Sequence, residues 1–481
     1  MTVFSFFKIN FFLLAIISIS FLLPIAVALY YGEFEVIHAF ALPGVFCVIV
    51  AFILALVGKK KKISMIPKDS YIVVAAAWGF ASFLGASPFL ISGTIDNLAD
   101  AFFESVSGFT TTGATVFSDV ESLPHAINFW RCQMHWLGGM GIVALTVALM
   151  PLLGVGGFQL IKAETTGPEK GKVTPKIATT AKILWFIYLA LTVIQIILLK
   201  IAGMSWFDAI CHSFSTLGTG GFSTKNTSIT FYNSPAIEWI ITIFMILAGV
   251  NFSLYYFLVR GKLGEIIHNS EIKAYIGIIL VTGIGITFFI SDLYPTLSDA
   301  FRIAMFQVAT IISTTGFASA DFALWSSSAT IFILLLMFIG GCSGSTAGGI
   351  KVIRWVVLSK QTENEVKKLL HPHGIFTIQL NGRVGRKDVV FSVAAFVFFY
   401  FFLTVITTAV ATLSGIDLIS SFTAALAMIG NIGPGLGAVG PVENFGFFES
   451  GIKWWFSFIM LAGRLELYTM FIFFMPSFWK K

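Results

Sequence analysis

Apolar residues run along this chain in long, nearly unbroken stretches, separated by polar interruptions whose charge alternates in sign. Stretches long enough to cross a bilayer as helices begin near Phe11, Phe40, Tyr71, Trp130, Ile177, Ala236, Ile272, Trp325, Val389 and Ile452. A span needs about 20 apolar residues to match a hydrocarbon core of roughly 30 Å. The pattern predicts an all-α membrane protein with ten transmembrane helices.

A shorter element recurs between the spans. Four stretches share an apolar segment of about a dozen residues followed by a small, hydroxyl-rich turn ending in glycine: "DAFFESVSGFTTTGAT" (100–115), "DAICHSFSTLGTGGFST" (208–224), "RIAMFQVATIISTTGFAS" (302–319) and "SFTAALAMIGNIGPGLGA" (421–438). Ten residues on from Phe103, Cys211, Phe306 and Thr423 stand Gly113, Gly221, Gly316 and Gly433. A segment this short does not cross a membrane, so it is read as re-entrant, and irregular backbone at that depth survives only where it lines a cavity or is buried in protein. The chain therefore divides into an N-terminal helix pair (1–68) and four helix, half-helix, loop, helix repeats at 69–160, 161–262, 263–372 and 373–481.

Composition agrees with lipid as the solvent. Of 481 residues 57% are hydrophobic and only 11% charged, with 52 phenylalanines, more apolar surface than a water-soluble core hides. The charges are sorted by loop. "GKKKKISMIPK" (58–68), the 160–182 stretch with Lys162, Lys170, Lys172, Lys176 and Lys182, and the 351–387 stretch with Lys360, Lys367, Lys368, Arg383, Arg386 and Lys387 are basic, as are Arg260, Lys262 and the terminal "WKK". The opposite loops carry Asp96, Asp100, Asp119, Glu121, Asp208, Asp292, Asp299, Asp321, Asp417 and Glu443. The basic side is cytoplasmic by the positive-inside rule, with both termini there. The net charge of +6 thus records topology rather than nucleic-acid binding. Ala26-Val27-Ala28 resembles a signal-peptidase site, but the apolar run before it is long for a signal peptide and is read as a retained helix. The four cysteines are scattered without a CxxC pair, which predicts neither a disulfide framework nor a zinc site.

Four extended loops meeting on a pseudo-fourfold axis aim backbone carbonyls at one point and replace an ion's hydration shell. The candidate filter residues are Thr111-Thr112-Gly113, Thr219-Gly220-Gly221, Thr314-Thr315-Gly316 and Asn431-Ile432-Gly433. Glycine permits the backbone angles this needs, threonine hydroxyls pack the loop from behind, and the half-helix ends bias the site electrostatically. Any one loop reads equally well as an ordinary Gly/Thr turn; four at matched positions on one side do not. The acidic outer loops would concentrate cations at the entrance. The fourth loop lacks the hydroxyl pattern, which sets its carbonyl geometry apart.

The stretch "FIGGCSGSTAGGIKVIR" (338–354) falls inside the apolar run of the third repeat. Gly340, Gly341, Ser343, Gly344, Ser345, Thr346, Ala347, Gly348 and Gly349 do not sustain a helix, since Gly costs about 1 kcal/mol per site relative to Ala. A broken helix beneath a filter reads as a gate, against the alternative of a Gly-mediated helix contact. Lys351 and Arg354 follow at once, as anchors of that loop or as ordinary cytoplasmic-side charges. Gly341-Cys342-Ser343-Gly344 matches the GxSG of rhomboid proteases, but His371 and His373 lie in a cytoplasmic loop; "GGIK" is no Walker A loop, and the GxGxxG at Gly435–Gly440 does not join a strand to a helix. Arg464, in the middle of the last apolar run, is a pore charge or half of a structural ion pair. Glu466, two residues on, lies on another helix face and is a poor partner for it.

The four loops, the N-terminal helix pair, "GGCSGSTAGGIKVIR" and the "GRLE" near the end together resemble the pore subunits of the Trk/Ktr/HKT superfamily of potassium transporters, most closely its TrkH branch. The resemblance covers nearly the whole chain. It implies four repeats around a single K⁺ pathway, an intramembrane loop obstructing the pore below the filter, and an Arg464 that projects toward the conduction path. It also implies a homodimer in the bacterial inner membrane and a cytosolic ring of TrkA-type subunits as regulator. Nucleotide (ATP/ADP or NAD) would bind only to that partner; this chain would carry no cofactor, and K⁺ at the filter as transported ion. In the family a glycine in each loop goes with potassium and a serine in the first loop with sodium; here all four are glycine. The chain is expected to be no enzyme: a lipid-linked transferase would want Asp, His or Arg clustered at one membrane face, and no such cluster occurs. A Na⁺-conducting or Na⁺-coupled transporter on the same fold is the nearer alternative.

Overall fold

The computed structural model describes residues 2–58, 67–141, 177–381, 383–384 and 387–480. The basic run 59–66, most of the 160–182 stretch with Lys162, Lys170, Lys172 and Lys176, and Arg386 lie outside the described residues.

The N-terminal pair is α1 (Val3–Ser20), running through Phe21 into α2 (Leu22–Tyr31), and α3 (Phe34–Val57). The first apolar helix thus begins at Val3, eight residues before the expected Phe11, because Thr2 caps it by accepting from the Ser5 amide. There follow α4 (Pro67–Ile91), α5 (Leu98–Phe109), α6 (His125–Gly139), α7 (Ile177–Ile201), α8 (Trp206–Gly218), α9 (Pro235–Ala248), α10 (Phe252–Val259) and α11 (Leu263–Ile267). The second half holds α12 (Ser270–Ile290), α13 (Leu297–Ile312), α14 (Ser327–Leu336), α15 (Val352–Leu370), α16 (Lys387–Ala411), α17 (Leu418–Gly430), α18 (Ser450–Arg464), α19 (Leu467–Phe471) and α20 (Pro476–Trp479). A ribbon of β1 (Gln379–Leu380) against β2 (Arg383–Val384) is the sole strand pairing among the described residues.

Among the described residues six helices are long and apolar enough to cross a membrane, seven if the bent pair α9–α10 counts as one. The chain is a multi-pass membrane protein. Of the ten expected spans, four differ from straight transmembrane helices. The one at Trp130 is described only as the 15 residues of α6. The one at Ala236 bends by 95° between α9 and α10. There the Phe252 amide donates to Gly344 rather than to Ala248, and the Gly249 carbonyl accepts from Cys342, so two backbone groups that would continue the helix are given to the 337–351 loop. The one at Trp325 is the ten-residue α14, which stops where the small residues begin. The one at Ile452 ends at Arg464, because Glu466 adopts a left-handed φ of 62°.

The half-helices are the buried elements. Nearly all of α5, and Ala300 to Ile312 of α13 apart from Phe301 and Arg302, are buried, whereas only 17% of the apolar window of α3 is. Lipid-facing irregular backbone does not occur, so the half-helices sit inside and the long helices outside. Packing closes the arrangement: α8 rests on α6, α13 on α9, and α5 on α18, so the end of the chain meets its first half-helix.

Candidate functional site

Each half-helix is bounded by local chemistry. Asn97, Ser205, Thr296 and Asp417 stand at the starts, each accepting backbone amides of the first turn, which satisfies donors a helix start leaves free. At the other end the amides of Thr112, Gly220, Thr315 and Ile432 reach back to Ser107, Ser215, Thr310 and Ala427 at 2.9, 2.8, 2.8 and 2.9 Å. This is the Schellman ending, and it needs a left-handed residue just before the donor. Those residues are Thr111, Thr219, Thr314 and Asn431, with φ of 57, 56, 54 and 52°. The α13 half-helix runs to 16 residues, longer than the dozen expected.

The four loops then follow one course. Gly113, Gly221, Gly316 and Gly433 have φ of 81, 78, 84 and 93°, so the fourth loop, despite its Asn-Ile-Gly-Pro sequence, keeps the backbone of the other three. A Cβ on Gly113 would collide with the Gly220 carbonyl, on Gly221 with that of Thr315, on Gly316 with that of Ile432, and on Gly433 with that of Thr112. Each glycine meets the middle carbonyl of the next loop, and the fourth meets the first. All twelve candidate filter residues lie in this closed ring, and a cleft lined by its four glycines, Lys225 and Glu443 opens on it. Glu443 is the sole acid in that lining among the described residues, with Arg131 and Lys225 present, so the mouth is less acidic than the loop composition suggests.

A second tier holds the loops from behind, and the sequence pattern did not single it out. Nine residues before the loop glycines stand Glu104, His212, Gln307 and Ala424. The Glu104 carboxylate accepts from Thr115 Oγ1 at 3.0 Å and the Val116 amide at 2.9 Å, and pairs with Arg131 Nε at 2.8 Å. Arg131 also donates to the Thr115 hydroxyl and the Ser223 carbonyl and lies 4.2 Å over the Phe222 ring, joining the first loop to the second. His212 Nε2 meets Ser223 Oγ at 3.0 Å while Nδ1 lies 2.8 Å from the Asp208 carbonyl, which fixes the tautomer. Gln307 donates to the Ala320 carbonyl at 3.0 Å. In the fourth repeat Thr423, one position earlier, accepts the Leu436 amide at 2.9 Å. The signal was a long polar side chain nine residues before the loop glycine in three of the four repeats.

The candidate gate residues Gly340 to Gly349 form an irregular loop against the α9–α10 bend, with Thr346 Oγ1 on the Ala248 carbonyl at 3.2 Å. The Glu271 carboxylate accepts the Ser343 amide at 2.6 Å and the Ile353 amide at 3.1 Å, joining the loop to the first turn of α15. Lys351 is buried, and its ammonium donates to the Ala347 carbonyl. Arg464 donates to the carbonyls of Thr346 at 2.7 Å, Gly138 at 2.7 Å and Gly139 at 3.3 Å. It binds loop and α6 together through backbone oxygens. Glu466 pairs instead with Arg354, both oxygens 2.8 Å from Nη2, and that guanidinium lies 3.6 Å over the Phe396 ring.

A sequence profile of the family described as TrkH, cation transport protein, matches residues 36–283 and 291–481. The chain belongs to the TrkH family of cation transport proteins. It is 40% identical to the Trk system potassium uptake protein TrkH of Escherichia coli over 88% of both chains, and 39% identical to that of Vibrio parahaemolyticus over 97% of both. The TrkG protein of Escherichia coli is 36% identical over 98% of this chain and 97% of its own. The crystal structure of the potassium transporter TrkH from Vibrio parahaemolyticus superimposes with a TM-score of 0.88 at 36% identity, covering 100% of each chain. TrkH proteins are transporters and not enzymes.

Proposed function

We propose that this chain is a potassium uptake subunit of the bacterial inner membrane, with ten spans, both termini cytoplasmic, and four pore-loop repeats around one pathway. The observation that carries the reading is the ring in which each loop glycine abuts the next loop's carbonyl. A ring of carbonyls replaces the hydration shell of a cation, and the half-helix C-termini direct negative dipole ends at it. The relatives named Trk system potassium uptake proteins supply the ion. Below the ring the 340–349 loop, held by Glu271, Lys351 and Arg464, obstructs the path and moves when the pore opens. The membrane potential drives inward flux with about 2.3 kcal/mol per charge per 100 mV. The protein works as a homodimer under a cytosolic TrkA-type nucleotide-binding ring, and its own residues bind no cofactor but K⁺.

The test is ⁸⁶Rb⁺ uptake into liposomes holding the purified protein, driven by an outward K⁺ gradient, with external K⁺ or Na⁺ as competitor. K⁺ should abolish uptake and Na⁺ spare it. Gly113→Ser, whose side chain would enter the Gly220 carbonyl, should lose that preference. Equal block by Na⁺ would overturn the potassium assignment.

A further inference from the structure

Three of the four left-handed residues that end the half-helices are threonines. A β-branched residue with positive φ is a strained outlier, and the usual occupant of that Schellman position is glycine. Strain of this kind points to a use for the side chain. The four side chains are spent differently. Thr219 Oγ1 donates to the neighbouring Gly218 carbonyl. Asn431 Nδ2 donates to Thr112 Oγ1 and to the Met460 carbonyl, each at 3.0 Å. Among the described residues Thr111 Oγ1 has no hydrogen-bond partner. Thr314 Oγ1 accepts the Gly348 amide at 2.7 Å, across 34 residues of chain, with both residues buried.

That contact joins the ring to the irregular loop beneath it. Gly348 is preceded by Ala347, whose carbonyl takes the Lys351 ammonium, and before that by Thr346, whose carbonyl takes Arg464. Those two ties hold the loop to the surrounding helices; the Thr314 bond holds it to the ring itself. Thr315, the next residue, supplies the carbonyl against which Gly221 packs. Any displacement of the loop away from the axis breaks the bond and frees the third-repeat corner of the ring.

We propose that Thr314 is a positioning residue that couples filter to gate: its hydroxyl latches the loop shut through the Gly348 amide, and the latch belongs to the third repeat alone. The inference rests on the potassium-pore reading above. It makes gate opening and ion occupancy of the ring two sides of one equilibrium, because a coupling between sites is reciprocal.

The experiment compares ⁸⁶Rb⁺ flux in liposomes for the full-length wild type, Thr314→Val and Thr314→Ser, without a regulatory partner. Thr314→Val keeps the shape and loses the acceptor. Flux should rise about fivefold, the shift that loss of one hydrogen bond of ordinary strength produces, while K⁺ still competes and Na⁺ does not. Thr314→Ser should return the flux toward wild type. Deuterium exchange over 343–351 should quicken in Thr314→Val and not in Thr314→Ser, a readout that stands even where flux is too small to measure. Unchanged flux and exchange in Thr314→Val would overturn the latch, as would lost selectivity without added flux. Wild-type flux that K⁺ does not compete would overturn the pore reading and the latch together.

Discussion

Glu104 and Arg131 form an ion pair of 2.8 Å whose side chains are 0% and 1% exposed. Neither charge has water to fall back on, and breaking a buried pair by removing one partner costs about 3–5 kcal/mol. Glu104→Ala should therefore destabilise the detergent-purified protein by that order and lower its K⁺ over Na⁺ preference, since Thr115 and Val116 lose their anchor. Glu104→Gln, which keeps acceptors for both, should retain more of the preference than of the stability. Thermal unfolding beside ⁸⁶Rb⁺ competition separates the two effects; full stability in Glu104→Ala would refute the strut.

Arg464 binds three carbonyls on two elements. Arg464→Gln shortens the reach and removes the charge, so the loop loses its tie to α6. Unpartnered flux should rise at least tenfold, since each lost charge-assisted bond contributes about 1.5–3 kcal/mol to the closed state. Arg464→Lys, with no planar fork to span Thr346 and Gly138 together, should fall between. A flux decrease in Arg464→Gln would contradict the tether.

Glu271 accepts one amide from the irregular loop, Ser343, and one from the first turn of α15, Ile353. Glu271→Ala leaves two buried donors without their acceptor, at about 1–3 kcal/mol each. Limited proteolysis should cut within 340–352 faster in this variant than in the wild type. Equal rates would show that the backbone hydrogen bonds to Gly249 and Phe252 suffice.

Asp119 ties the outer segment after the first loop to the second repeat, accepting Asn226 Nδ2 at 2.8 Å and the Glu121 amide at 3.0 Å. These bonds, the Asn226 one foremost, hold its carboxyl below the ordinary aspartate range. A depressed folded-state pKa gives a contribution that is complete above the unfolded value and lost as pH falls through the folded one. The melting curves of wild type and Asp119→Asn should therefore separate at neutral pH and converge only below about 3.9. A separation that widens as pH falls would have the wrong sign.

Much of this architecture is written locally. Asn97, Ser205, Thr296 and Asp417 spell the half-helix starts, and Gly113, Gly221, Gly316 and Gly433, each at the same offset within its repeat, spell their ends. Caps, left-handed turns and apolar runs depend on backbone sterics and hydrogen bonds within a few residues, so sequence by itself determined membrane residence, the short helices that end in the glycine loops and the residues of the ring. It did not determine which carbonyl each glycine meets, why α9 and α10 bend at Gly249–Asn251, or that Arg464 serves Thr346, 118 residues away, while Glu466 serves Arg354. Those choices depend on which buried donor is brought beside which acceptor. Chain packing alone makes that juxtaposition, and burial then makes an unmade bond too costly to leave.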